Sequence, residues 1–220
     1  MHFCTLTYLA ILMTKSYHSI WKNKDPKEAA LQWLFEYLKD MVTLTEEEKE
    51  AMRSYINIEA QPKGRFLLRE GEYSQRCYLV LKGCVRKFYV VDGIEKTTAF
   101  YTEGHPINPM ISQRNPLPST FYLECLEDTI MSAGTAETEA AFFKRFPRFE
   151  AVCRVQTEGM LGELEETLAQ YMISTPEQRY LKLMESRPEL LARVPQYQLA
   201  SYVGVKPESL SRIRKRILQR

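Results

Sequence analysis

The hydrophobic period of this chain changes twice, and that change constrains its fold more than any single residue does. From Pro26 to Met52, Leu31, Leu34, Phe35, Leu38 and Val42 recur at helical steps, and Thr45-Glu-Glu-Glu48 reads as a capping box opening a second helix. From about residue 60 to 134 the period is two. Arg65–Leu68, Cys77–Leu81, Val85–Val91, Lys96–Tyr101, Phe121–Leu126 and Thr129–Ser132 are short runs rich in aromatic and β-branched residues. Glu70-Gly-Glu72, Lys82-Gly83, Asp92-Gly93 and Glu103-Gly104 punctuate them, with Asp92-Gly93 the strongest hairpin signal. Strands this short and regular predict a sandwich or barrel.

Helical spacing then returns near Ala136 and restarts at Pro147. Phe149, Val152, Leu161, Leu164, Leu168 and Tyr171 mark an apolar stripe on one long helix. Its last four members step by three, four and three, the spacing of a coiled-coil seam. A helix this long exceeds what one small barrel covers, so Leu161, Leu164, Leu168 and Tyr171 are expected in a dimer interface. Ser174-Thr-Pro176 interrupts the helix as a hinge into a second unit.

Charge divides at the same place. Residues 173–220 carry a net +6 and residues 1–172 a net −4. A basic end suggests a polyanionic partner there. With 45% hydrophobic and 26% charged residues the chain is neither disordered nor collagenous.

The basic end carries its own pattern, Val194-Pro-Gln-Tyr-Gln-Leu-Ala-Ser-Tyr-Val-Gly-Val-Lys-Pro-Glu-Ser-Leu-Ser-Arg-Ile-Arg-Lys-Arg216. It reads as helix, turn, helix. Ala200 allows close crossing, Gly204 ends the first helix in a left-handed residue, and Pro207 opens the second. Val205, Leu210 and Ile213 face Leu199 and Val203, which leaves Glu208, Ser209 and Arg212 outward. Arg can offer its fork to guanine in the major groove and Glu can accept from cytosine. Gln196, Lys206, Ser211, Arg214 and Lys215 complete the expected DNA-binding set, mainly against phosphate.

Other chemistries find little support. Cys4, Cys77, Cys84, Cys125 and Cys153 lack C-x-x-C spacing, so reduced cytoplasmic thiols are expected, and Cys77 and Cys84 read as small strand hydrophobes. His2, His18 and His105 cannot be paired on one metal by spacing, and no cofactor is expected. The apolar Thr7–Met13 segment lacks the flanks of a signal and the length of a membrane span. Residues 1–24 show no amphipathic pattern and are expected to be poorly ordered, with Met13 and Met41 as alternative starts.

Over roughly residues 27–220 the chain resembles the Crp/Fnr family of bacterial transcription regulators. The resemblance rests on Leu68-Arg-Glu-Gly-Glu72, Tyr78-Leu-Val-Leu-Lys-Gly83, the Leu126-Glu-Asp-Thr129 lead into a strand, the long helix and the helix-turn-helix. It implies an α+β fold: a jelly-roll β-barrel of the cyclic-nucleotide-binding type, a long dimerisation helix and a C-terminal winged helix-turn-helix. The corresponding divisions are 1–26, an N-terminal extension; 27–146, the barrel with its flanking helices; 147–174, the dimer helix and hinge; and 175–220, the DNA-binding unit. It also implies a cytoplasmic homodimer on an imperfectly palindromic operator, with RNA polymerase as a further partner. Glu208 and Arg212 match the family's base-reading positions, whereas Pro207 occupies a place often filled by another Arg.

The sensing loop departs from that pattern. Cyclic-nucleotide members hold their ligand with a Gly-Glu pair and a downstream Arg-Ser. Here Gly104 remains without the Glu, and Ser119 or Thr120 stands where the Arg would be, leaving Arg114 as a substitute. Gly104, Arg114, Ser119 and Thr120 are therefore the candidate pocket for an unknown effector, and cyclic AMP is not expected to be it. The iron–sulfur branch's cysteine cluster has no counterpart near Cys4, and His105 is a poor axial haem ligand. Two other classes stay open: a cupin-type binding protein or enzyme, for which no His-x-His pair or nucleophile–base arrangement is evident, and a dimeric scaffold without DNA binding.

Overall fold

The computed structural model describes residues 20–21, 25–109 and 117–219. The N-terminal readings up to residue 19, including Thr7–Met13, Cys4, His2 and His18, lie outside the described residues. From residue 25 onward the chain enters two helices, α1 (Pro26–Leu38) and α2 (Glu46–Tyr55). Asp25 caps α1 by accepting the Glu28 N–H, with Pro26 in the first turn. At α2 the expected capping box is present: Thr45 Oγ1 accepts the Glu48 N–H at 3.3 Å and the Glu48 carboxylate accepts the Thr45 N–H at 2.8 Å.

Among the described residues eight strands follow: β1 (Asn57–Gln61), β2 (Phe66–Leu68), β3 (Cys77–Lys82), β4 (Val85–Val91), β5 (Ile94–Tyr101), β6 (Pro106–Ile107), β7 (Tyr122–Cys125) and β8 (Thr129–Gly134). They form two antiparallel four-stranded sheets, β1-β8-β3-β6 and β2-β7-β4-β5. Leu68, Val80, Val85, Leu123, Cys125 and Met131 pack between them. The architecture is thus a two-sheet roll, with no strand shared by the sheets among the described residues. Two strands escaped the period reading: β1 has the polar sequence NIEAQ, and β6 spans only two residues.

Asp92-Gly93 joins β4 to β5 with φ of 53° and 73°, both positive as a type I′ turn requires. Gly83 has a second constraint. At φ 112° a Cβ there would lie 2.7 Å from the Thr129 backbone, so this turn admits only glycine. Cys77 and Cys84 are not bridged. Cys84 is fully buried, and desolvation pushes its thiol up to about 12, the behaviour of a small hydrophobe.

Helix α3 (Ala136–Arg145) leads into the 26-residue α4 (Arg148–Ile173). Phe149, at the start of α4, packs with Trp33, Leu34, Met52 and Leu81, anchoring that end to the roll. Arg148 pairs with the buried Glu48, binding the same end to the capping box of α2. Beyond this anchor no residue of α4 is fully buried.

Four helices complete the chain: α5 (Pro176–Ser186), α6 (Pro188–Arg193), α7 (Gln196–Val203) and α8 (Pro207–Leu218). Among the described residues no strand follows β8, so no wing strand accompanies the helices there. Pro188 starts a short helix, α6, directly after α5, leaving no length for a hairpin before α7. No helix among the described residues is long and apolar enough to cross a membrane.

Candidate nucleic-acid interface

Helices α7 and α8 form the turn that the sequence predicts. Gly204 caps α7 at φ 84°, its N–H shared between the Ala200 and Ser201 carbonyls, and the Val205 N–H reaches the Ala200 carbonyl at 2.9 Å. Leu199, Ala200, Val203, Leu210 and Ile213 are buried together, with Val205 packed at their edge. Fully burying each larger member contributes about 1.5–3 kcal/mol relative to exposure, enough to hold two short helices in register.

That packing decides which side chains face solvent. Glu208, Ser211, Arg212 and Lys215 are exposed at successive positions of one α8 face, and Arg214 is exposed beside it. Ser209, expected outward, is only partly exposed, because it flanks the buried Leu210. Lys206 is exposed at the N-cap of α8 and Gln196 at the first turn of α7, and neither helix has a side-chain cap bond. Arg216 instead pairs with Glu177 on α5. Gln198 is buried with its Oε1 unpaired, while its Nε2 donates to Tyr197 Oη at 3.2 Å.

The helical unit is fastened to the roll. Phe100 and Cys84 belong to the same buried cluster as Tyr180, Leu183, Leu190 and Leu199. Ser201 of α7 donates to the Glu95 carbonyl at 3.0 Å and accepts the Thr97 N–H at 2.9 Å, so α7 covers the open edge of β5. Beneath this contact the buried Arg86 donates to Thr97 Oγ1 at 2.9 Å and Glu95 at 2.6 Å.

Two further arginines reach the turn after β5, where the sensing loop begins. Arg187 donates to the Phe100 carbonyl and Thr102 Oγ1, both at 2.8 Å. Arg193 grips Glu103 with two bonds of 2.9 Å and also holds Glu127. Burial alone would raise the Glu103 carboxyl, yet the bonds and charge of Arg193 hold it below its usual range. His105 lies half-buried nearby, and desolvation, followed by the Arg187 charge, lowers its pKa. Its Nδ1 lies 3.2 Å from the Thr102 carbonyl.

The proposed pocket residues occupy separate places. Gly104 packs on Tyr37 of α1, whose hydroxyl donates to its carbonyl at 3.3 Å. Ser119 exchanges backbone bonds with Gly71 and Glu72, and its hydroxyl donates to the Phe121 carbonyl at 2.8 Å. Thr120 is exposed, and Arg114 lies outside the described residues.

Along α4, Leu161, Leu164 and Leu168 are 57%, 64% and 59% exposed. Tyr171 has a partner within the chain: the Arg179 guanidinium sits 4.5 Å over its ring. Arg179, Arg187, Arg193 and Ser201 were missed by sequence reading, since nothing local distinguishes them from solvated residues.

This arrangement is shared with solved structures. The c-di-GMP responsive global regulator CLP from Xanthomonas campestris superposes with a TM-score of 0.59 at 17% identity, covering 76% of this chain and 88% of that one. FixK2 from Bradyrhizobium japonicum gives 0.59 at 19% identity, covering 74% and 85%. A CooA mutant from Carboxydothermus hydrogenoformans gives 0.60 at 16%, covering 84% of each chain. The chain has the Crp/Fnr-like fold. The Crp/Fnr-like superposition extends through most of the chain although no family model and no curated sequence matches it. Pairing patterns and burial carry this likeness, not residue identity.

Proposed function

We propose that this chain is a sequence-specific DNA-binding transcription regulator acting as a homodimer. One observation carries the reading: α8 buries Leu210 and Ile213 against α7 while offering Glu208, Ser211, Arg212 and Lys215 along one solvent face. Arg212 reads a base, Glu208 selects its neighbour, and Lys206, Arg214 and Lys215 neutralise phosphates. Ser209 supports this face from its edge, and Gln196 meets the backbone from α7. The description of CLP as a global regulator supports the same class.

The dimer forms through Leu161, Leu164 and Leu168, whose exposure on a single chain would cost solubility unless a second copy covered them. The working divisions are 1–26, 27–146, 147–174 and 175–220, with RNA polymerase contacted from the DNA-bound dimer in the cytoplasm. The roll is an altered sensor. Ser119 or Thr120 stands where the phosphate-holding Arg would be and supplies no charge, and the Ser119 hydroxyl donates to a backbone carbonyl, so a different effector, or none, is used. Catalysis has no place in this reading.

Selection from a random duplex pool tests it. The expected product is an imperfect palindrome with half-sites about one turn, ~34 Å, apart. No enrichment over bulk duplex would remove the regulator reading and favour the scaffold or cupin-type alternatives.

A further inference from the structure

We propose that Arg179 is a positioning residue that sets the angle between the dimer helix and the reading helix, and thereby the half-site spacing the dimer accepts. This rests on the regulator reading above. Arg179 lies on α5, yet its guanidinium serves two other helices. Its Nε donates to the Val203 carbonyl at 2.8 Å, at the C-terminal end of α7. Its Nη1 donates to the Ser174 carbonyl at 2.6 Å and the Tyr171 carbonyl at 3.3 Å, at the end of α4.

The last carbonyls of a helix have no intrahelical donor and carry its negative dipole end. One planar fork therefore satisfies two helix ends at once and holds them at a fixed separation. An ammonium cannot do this, because it is a single point charge on a flexible stem. The ring of Tyr171 closes the joint from the other side. A Cβ on Gly204 would meet Tyr171 Oη at 2.7 Å and Arg179 Nη2 at 3.4 Å, so the turn of the helix-turn-helix sits directly against the end of α4.

The geometry has one functional consequence. With α4 on the dimer axis, rotation about residues 174–176 would swing both α8 helices and change their separation. Each inserted base pair moves a half-site by about 3.4 Å and rotates it by roughly a tenth of a turn, so a rigid joint rejects wrong spacers and a loose one tolerates them.

The test uses the full-length dimer, with Arg179→Lys, on duplexes whose two half-sites are separated by spacers varied in single base-pair steps. Wild type should prefer one spacer over its neighbours by about tenfold, and Arg179→Lys should reduce this below about threefold while an isolated half-site binds within about twofold of wild type. Sedimentation confirms that the variant remains dimeric. A DNA-free measurement accompanies it: spin-label distances between the protomers at Leu218→Cys, in a Cys4→Ser, Cys153→Ser background, should be narrow in the parent and broad with Arg179→Lys. Unchanged spacer preference together with an unchanged distance distribution would overturn the clamp while leaving the regulator intact. A wild type without any spacer preference would overturn the regulator reading and this inference with it.

Discussion

Replacing Arg193 with Met should loosen the helical unit from the roll by a predictable amount. The arginine makes two 2.9 Å bonds to Glu103 and a 3.1 Å bond to Glu127, and the three side chains are 23%, 20% and 35% exposed. Removing one partner of a fully buried pair costs about 3–5 kcal/mol, whereas a surface pair contributes under about 1 kcal/mol. Partial exposure places this bridge between them, at about 2–3 kcal/mol. The Gly83 N–H still donates to Glu103 at 2.8 Å, but it carries no full charge. For a chain of this size each kcal/mol corresponds to about 2–4 °C, so Tm should fall by about 5–10 °C. The shared core of Phe100, Cys84, Tyr180 and Leu199 should keep roll and helices in one thermal transition. Circular dichroism melts of wild type, Arg193→Met, Glu103→Gln and the double variant measure the cost and the coupling. The double variant should lose less than the sum of the single ones. A loss below about 0.5 kcal/mol, or additivity of the two changes, would refute the buried-bridge argument.

Four more outcomes are expected. Leu164→Glu with Leu168→Glu should convert the dimer to a folded monomer by sedimentation, because both side chains already face solvent on a single chain. Arg212→Ala should relax base preference at one position by about 1–3 kcal/mol per half-site with little change in salt slope, while Lys215→Ala should weaken all duplexes alike and flatten that slope by about one unit, as salt-dependent gel shifts would register. His105 has a folded pKa below its ordinary 6.5, so the unfolded chain binds its proton first; stability in urea titrations should fall as pH drops from 6.5, with Glu103 adding its loss as pH falls through and below 4.5. Calorimetric titration with cyclic AMP should show no micromolar binding, and a tight isotherm coupled to stronger DNA binding would show that the sensing loop was misaligned.

What the sequence alone determines here is local. Thr45 and Glu48, Asp92-Gly93, and Gly204 with Pro207 each encode their geometry within four residues, because caps and turns depend on a side chain reaching its own backbone or on an allowed φ. The shared exposed face of Leu161, Leu164 and Leu168 on α4 and the buried face of α8 are likewise legible, since helical spacing alone decides which residues share a face. Tertiary structure decided the rest. Strand β1 is polar and β6 is two residues long, so both exist only because β8 and β3 offer them partners. Proline-started α6 follows α5 directly, a short extra turn that the 175–220 pattern did not single out. Arg193 meets Glu103 across 90 residues of sequence, and Ser201 meets Glu95 across 106. No periodicity encodes such partners, because they meet only after the chain has closed and burial makes a lone charge or an open sheet edge costly.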